Sequence, residues 1–259
     1  MQIRNAQMKA LEEDGRRRFE EEMMAHSREF AEPICKIIGD EQLRIVLRSA
    51  MSRAADYGFT LRGPIRLFIE MTFLSGSGFD TDPQYPEVGK VLRASDHEMV
   101  RAEKIHQGYQ DYLARVSGPR AANVHTALKG LLSFAQKPPI IPADNFVPFM
   151  LGEMRRVFPQ KTAYVGEAAL TALIHEAAAV AQKYEFPSVR EQALIAVLMF
   201  AFGHGCTNDP LYPWISNTLR DSRIVDAAAR ARRLEKKAVT WLEHVVARNE
   251  RRNEGGSST

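Results

Sequence analysis

Residues 38–93 set against residues 165–220, at a constant offset of 127 and without a gap, are identical at 16 of 56 positions. Unrelated stretches of this length share only a few. The identities fall where backbone geometry is demanding: Gly39 with Gly166, Tyr57 with Tyr184, Phe59 with Phe186, Phe73 with Phe200, and Gly76 and Gly78 with Gly203 and Gly205. The run Asp82-Pro83-Gln84-Tyr85-Pro86 returns as Asp209-Pro210-Leu211-Tyr212-Pro213, and Leu92-Arg93 as Leu219-Arg220. Internal repetition constrains a fold more than a single motif does, because one backbone plan must serve two stretches of sequence.

That plan is helical. Leu43, Val46, Leu47, Ala50, Met51 and Ala54 follow the i, i+3, i+4, i+7 spacing of one helical face, and Leu170, Leu173, Ile174, Ala177, Ala178 and Ala181 repeat it. Asp40 and Glu167 place a carboxylate at the start of each helix, where free amides and the helix dipole favour it. The next pair, about Ile65 to Leu74 and Gln192 to Phe202, is apolar on nearly all sides, as in helices packed all round. Ser188-Val189-Arg190-Glu191 spells a capping box ahead of the second, whereas Pro64 suits an early helical position in the first. Gly76 and Gly203 then end them. After the D-P-x-Y-P segments come a short helical turn and a long amphipathic helix, about Asp96 to Val116 and Ile224 to Ala247. A leading helix opens each unit, about Asn5 to Glu32 and, shorter, Asn145 to Phe158.

No alternating strand pattern bounded by turns occurs. The fold class is therefore all-α: a tandem duplication of a four-to-five-helix unit, arranged as a pseudo-two-fold helical bundle. The units span residues 1–118 and 144–250. Between them, 119–143 holds an amphipathic stretch, Val124 to Ala135, and the breaker Pro138-Pro139-Ile140-Ile141-Pro142, expected as extended polyproline. Residues 251–259 read as a flexible tail.

Composition narrows the function classes. With 35 Lys plus Arg against 32 Asp plus Glu, the net charge of +3 does not by itself call for a polyanionic partner. Cys35 and Cys206 stand far apart in the chain without C-x-x-C spacing, which argues against a thiolate metal site or disulfide framework and suits a reducing cytoplasm. Mixed charges fill the stretch from Met1 to Phe30, leaving no secretory h-region. Ala193 to Phe202 is about half the roughly 20 residues needed to cross a bilayer, so neither a membrane partner nor a cofactor is expected.

The most distinctive local feature is Gly76-Ser77-Gly78-Phe79-Asp80-Thr81-Asp82-Pro83 with its echo Gly203-His204-Gly205-Cys206-Thr207-Asn208-Asp209-Pro210. Asp80 and Asp82 offer hard-cation ligands, or an acid/base pair with His204 in a hydrolase-type site. Against both, only one carboxylate survives in the second copy. The structural alternative makes Asp82 and Asp209 acceptors in Asx-type turns, with Tyr85, Tyr212 and Trp214 packed back on the core. The Gly-x-Gly pairs follow helices instead of opening them after strands, so they are not nucleotide loops. Arg230, Arg232, Arg233, Lys236, Lys237, Arg248, Arg251 and Arg252 make the last helix the most basic part. Glu235, Glu243, Glu250 and Glu254 interleave with them, however, and the helix dipole favours bases there anyway, so a solvated face is expected over a DNA contact. On the leading helix Met8, Leu11, Phe19, Met23 and Met24 form an apolar stripe, which either completes the core or meets a partner.

Ile3-Arg4-Asn5-Ala6-Gln7-Met8, with Phe79-Asp80-Thr81-Asp82-Pro83-Gln84-Tyr85-Pro86, resembles a family of small helical proteins of Gram-negative bacteria encoded in clusters with type VI secretion effectors. The family pattern is an N-terminal I-R-x-x-Q-M and a later F-D-x-D-P-x-x-P-W. The resemblance covers mainly the first unit. Glu87 stands where the family has tryptophan, and Trp214 restores it only in the second copy, where Cys206-Thr207 replaces Phe-Asp. The resemblance implies a cytoplasmic accessory to a secreted toxin, a chaperone, adaptor or immunity protein, and no reaction. The resulting expectation is a non-enzymatic protein whose partner is a secreted effector or delivery component, docked between the units or on the leading helix. Met8, Leu11, Phe19, Met23, Asp80, Asp82, Tyr85, Asp209, Tyr212 and Trp214 are the candidate contacts. A hydrolase built on Asp80, Asp82 and His204, and DNA binding through the last helix, are the alternatives.

Overall fold

The structure, a computed structural model, describes residues 2–137, 139–186 and 188–255. It is all-α, with no strand among the described residues. The first unit comprises α1 (Gln2–Phe30), α2 (Glu32–Asp56), α3 (Arg62–Ser75), α4 (Pro86–Leu92) and α5 (Glu98–Tyr112), followed by a π-helical turn (Leu113–Ser117). Then come α6 (Ala122–Gln136), α7 (Phe146–Val157), α8 (Pro159–Val165), α9 (Glu167–Lys183), α10 (Val189–Phe202), α11 (Pro213–Leu219) and α12 (Ala227–Gly255). None of these helices is long and apolar enough to cross a membrane.

The backbone carries the repeat offset closely. α3 and α10, and α4 and α11, begin and end at equivalent positions. Gly39 breaks α2 at φ 75°, and its counterpart Gly166 stands at φ 84° between α8 and α9. The segment of α2 before Gly39 thus corresponds to α8, a helix too short to show a period in its sequence. Gly58 and Glu185 occupy the left-handed region at φ 69° and 60°. α7 matches only the stretch from Phe19 to Phe30, so α1 extends from Gln2 to Arg18 without a counterpart.

Side chains gather into two apolar clusters, one centred on each unit, and Val116 and Tyr112 of the first unit join the second. Met23, Met24, Leu43, Leu47, Phe59, Phe68, Ile69, Phe79 and Ile105 anchor the first. Met150, Leu170, Leu173, Ile174, Ile195, Met199, Phe200, Ile215 and Leu234 anchor the second. α6, from the stretch between the units, packs Ala127 and Leu131 into the second cluster. Pro139 to Pro142 is non-helical, as proline requires, while Pro138 lies outside the described residues. Residues 251–255, expected in a flexible tail, continue α12; Gly256 to Thr259 lie outside the described residues.

The two units solve the same end-of-helix problems with different residues. Free amides at the start of α3 are met by Glu98 of α5, which accepts from Thr60 N–H at 2.7 Å, Leu61 N–H at 3.0 Å and Thr60 Oγ1 at 2.7 Å. At α10 the Ser188/Glu191 capping box serves instead, with Glu191 accepting from Ser188 N–H at 2.8 Å. The carbonyls of Tyr57 and Tyr184, which cap α2 and α9, each accept from an arginine on the unit's last long helix: Arg101 at 2.8 Å and Arg230 at 3.1 Å. Arg230 lies two positions beyond the strict equivalent of Arg101, so alignment alone does not pair them.

Candidate functional site: the seam between the units

α3 and α10 both end on glycine with φ near 90°, at Gly76 and Gly203, and the chain ends that follow meet in close contact. A Cβ on Gly76 would stand 2.6 Å from the Phe202 carbonyl oxygen, and one on Gly203 2.9 Å from that of Ser75. Both the backbone conformation and the close approach therefore demand glycine here. The bare backbones leave amides that need acceptors.

Each unit supplies the other's acceptor. Asp82 Oδ2 takes the His204 backbone N–H at 2.7 Å, while Asp209 Oδ2 takes the Ser77 backbone N–H at 2.8 Å. The second oxygen of each aspartate closes an Asx-type turn within its own unit: Asp82 Oδ1 with Gln84 N–H and Asp209 Oδ1 with Leu211 N–H, both at 2.8 Å. Ser77 Oγ adds a bond to Asp209 Oδ1 at 2.6 Å. Burial pushes the Asp209 carboxyl above the ordinary carboxylate range, and the Ser77 and Leu211 bonds only partly offset it. Further ties cross the seam from the Gln42 amide to the Pro210 carbonyl at 2.9 Å and from the Gln84 amide to the Met199 carbonyl at 3.1 Å. Nearby, Lys161 Nζ donates to the Phe200 carbonyl at 2.6 Å within the second unit, and burial lowers its pKa to about 8.

No family model, curated protein or solved structure matches this chain. What the seam does must therefore be read from its own geometry.

The three groups expected to converge for hydrolysis are turned to different partners. Asp80 pairs with Arg53 and accepts from Tyr57 Oη at 2.9 Å. Asp82 is bound as described, through the His204 backbone and not its ring. The His204 ring bridges α9 and the first unit's loop, with Nδ1 2.9 Å from Glu176 Oε1 and Nε2 3.0 Å from Thr81 Oγ1 and 3.2 Å from the Gly78 carbonyl. Hydroxyl, imidazole and carboxylate thus stand in a line that resembles a nucleophile–base–acid relay. The Gly78 carbonyl, however, faces Nε2 and favours the imidazolium, which a general base must not be at rest. Burial opposes charge on this ring, but Glu176 and the nearby Asp82 outweigh it, and the pKa is raised. His204 serves here as a polar bolt across the seam. Cys206 is wholly buried, and burial drives its thiol well above the ordinary range, away from nucleophilic use. No group of three or more His, Cys, Asp or Glu residues that could hold a metal ion occurs among the described residues.

The candidate partner contacts divide sharply. Asp80, Asp82 and Asp209 are buried and bonded within the chain, because a carboxylate removed from water must find donors; they offer no surface to a partner. Met23 belongs to the first core and Phe19 is packed against it. Tyr85 and Tyr212 pack half-buried on the two cores, and Trp214 does so beside Phe202. Met8 and Leu11 are the exposed members, at 60% and 70%.

Proposed function

We propose that this protein is a non-enzymatic, protein-binding accessory to a type VI secretion effector, acting in the cytoplasm as a chaperone, adaptor or immunity protein. The observation that carries the reading is the overhang of α1. Every described side chain from Gln7 to Arg18 is exposed except the half-exposed Asp14, so Met8 and Leu11 form an apolar stripe that no core of this chain covers. A helix that extends beyond the packed part of its unit with an uncovered apolar stripe suits helix-in-groove recognition. Methionine adapts such a surface to its partner. The resemblance of the I-R-x-x-Q-M and F-D-x-D-P-x-x-P segments supplies the class of partner, and two free, buried cysteines suit a reducing compartment.

Affinity capture of the full-length chain from its native cell tests this, with a Met8→Glu/Leu11→Glu double variant alongside. Enrichment of a secretion effector or delivery component, lost in the variant, is the expected result. Equal recovery by both chains, or recovery of no such component, overturns the reading. The variant folds normally because neither side chain touches the core.

A further inference from the structure

The structure sorts the charges of α12 in a way the sequence does not show. Glu235 pairs with Arg190 at 2.8 Å, Glu243 accepts from Gln136 at 3.1 Å and Glu250 pairs with Lys129 at 2.8 Å. These three acids are thus spent toward α6 and α10, while the Glu254 side chain lies outside the described residues. Arg232, Arg233, Lys236 and Lys237, with Thr240, Trp241 and His244, instead line a groove of about 740 Å³ whose other wall is Trp214 of α11. No carboxylate lines it among the described residues. Arg232 reaches Asp226 at 3.4 Å and Lys237 donates to Thr218 Oγ1 at 2.9 Å, while Arg233 and Lys236 have no ion pair among the described residues. Trp214 Nε1 is buried with no acceptor, although a buried indole N–H usually finds one.

The first unit shows what this place in the fold receives. Moved back by 127 positions for α11 and by 129 for the last long helix, the groove falls between α4 and α5, where a cleft of about 460 Å³ includes Glu87, the counterpart of Trp214, and Gly108, Asp111, Tyr112 and Arg115, the counterparts of Lys237, Thr240, Trp241 and His244. Ala163, Tyr164 and Val165 of α8 close one side of that cleft, and the Tyr164 ring meets Tyr112 edge-on at 5.2 Å. In the first unit a short helix bearing an aromatic residue lies against the site. In the second, every lining residue comes from α11 and α12, and the equivalent place stands open.

We propose that the α11–α12 groove docks an acidic helical segment of a partner protein, bearing an aromatic residue, in the position that α8 takes in the first unit. The assignment rests on the protein-binding reading above, but not on α1. Two rows of cations, Arg232 with Lys236 and Arg233 with Lys237, each repeat after one helical turn. Acidic residues at i and i+4 on a docked helix recur at the same interval of about 6 Å. Duplex binding draws its affinity from a long track of cations that neutralises many phosphates, and the groove presents four. The two indoles provide an apolar floor for the aromatic anchor.

Fluorescence anisotropy with the full-length chain tests the proposal at low salt. The probes are a labelled helical peptide with glutamates at i and i+4 around one phenylalanine, the same peptide with lysines for glutamates, and a labelled oligothymidylate. The acidic peptide should bind, perturb tryptophan emission and lose affinity about tenfold or more in an Arg233→Glu/Lys236→Glu variant. Both side chains are exposed, so an unchanged melting curve should accompany the loss. Equal binding of the two peptides, no effect of the variant, or tighter binding of the oligonucleotide overturns it. If the Arg233→Glu/Lys236→Glu variant still captures the effector while Met8→Glu/Leu11→Glu does not, the groove alone is refuted. Peptide binding without effector capture by the wild-type chain instead refutes only the secretion reading.

Discussion

His204 shows how one residue can look catalytic in sequence and act structurally. Its neighbours Glu176, Thr81 and Gly78 come from both units, and against the opposing effect of burial Glu176, Asp82 and the Gly78 carbonyl favour its charged form. A histidine whose folded pKa is raised gives stability that is full below its unfolded value near 6.5 and is lost as pH rises through the folded value. His204→Gln should therefore lower the melting temperature more at pH ~5.5 than at pH ~8.5, as scanning calorimetry on both chains would register. An equal loss at the two pH values would mean that the ring is neutral when folded. The pairing with Glu176 could not be read locally, since the end of α9, a loop and the whole of α10 lie between the partners. The aspartates left a trace, the repeated D-P-x-Y-P. That trace marked the Asx turns correctly and did not reveal that each carboxylate also serves the opposite unit.

At the scale of elements, the helices were legible where a face repeats over three or more turns, as in α9 and in α2 beyond Gly39, while α3 and α10, apolar on nearly all sides, were marked by Pro64, the capping box and their terminal glycines. α8 was not, and neither was the sorting of charges on α12, which depends on where α6 and α10 pack. The two units also test what each local solution contributes. Glu98→Ala removes three hydrogen bonds at the start of α3 and should cost about 1–2 kcal/mol in urea denaturation. Its structural counterpart, Ala227 at the start of α12, has no such duty because the Ser188/Glu191 box already caps α10. Conversely, Glu185 holds a left-handed conformation that its counterpart Gly58 adopts freely. Glu185→Gly should stabilise the protein by roughly 0.5–1 kcal/mol, since its exposed contact with Arg230, at 3.9 Å, contributes little. A destabilised variant would show that the contact outweighs the strain.

For the whole molecule the question is whether two apolar clusters behave as one cooperative body. The seam between them is held by hydrogen bonds to buried carboxylates and by glycine backbones in contact, beside an apolar contact in which Val116 and Tyr112 of the first unit pack on the second cluster. Such bonds are short-ranged and costly to leave unmade: removing one buried acceptor orphans the amides it served, at about 1–3 kcal/mol each. The chain carries natural probes of each side. Trp214 and Trp241 both belong to the second unit, and Cys35 is a free thiol buried in the first. In a Cys206→Ser background, tryptophan emission and Cys35 reactivity should report one coincident denaturation midpoint, the mark of two-state unfolding. Asp82→Ala combined with Asp209→Ala orphans the His204, Gln84, Ser77 and Leu211 amides together and should separate the midpoints, with the whole curve shifted to lower denaturant. If the midpoints stay together in the double variant, the units are coupled elsewhere, and the contact of Tyr112 with Tyr164 would be the next to remove.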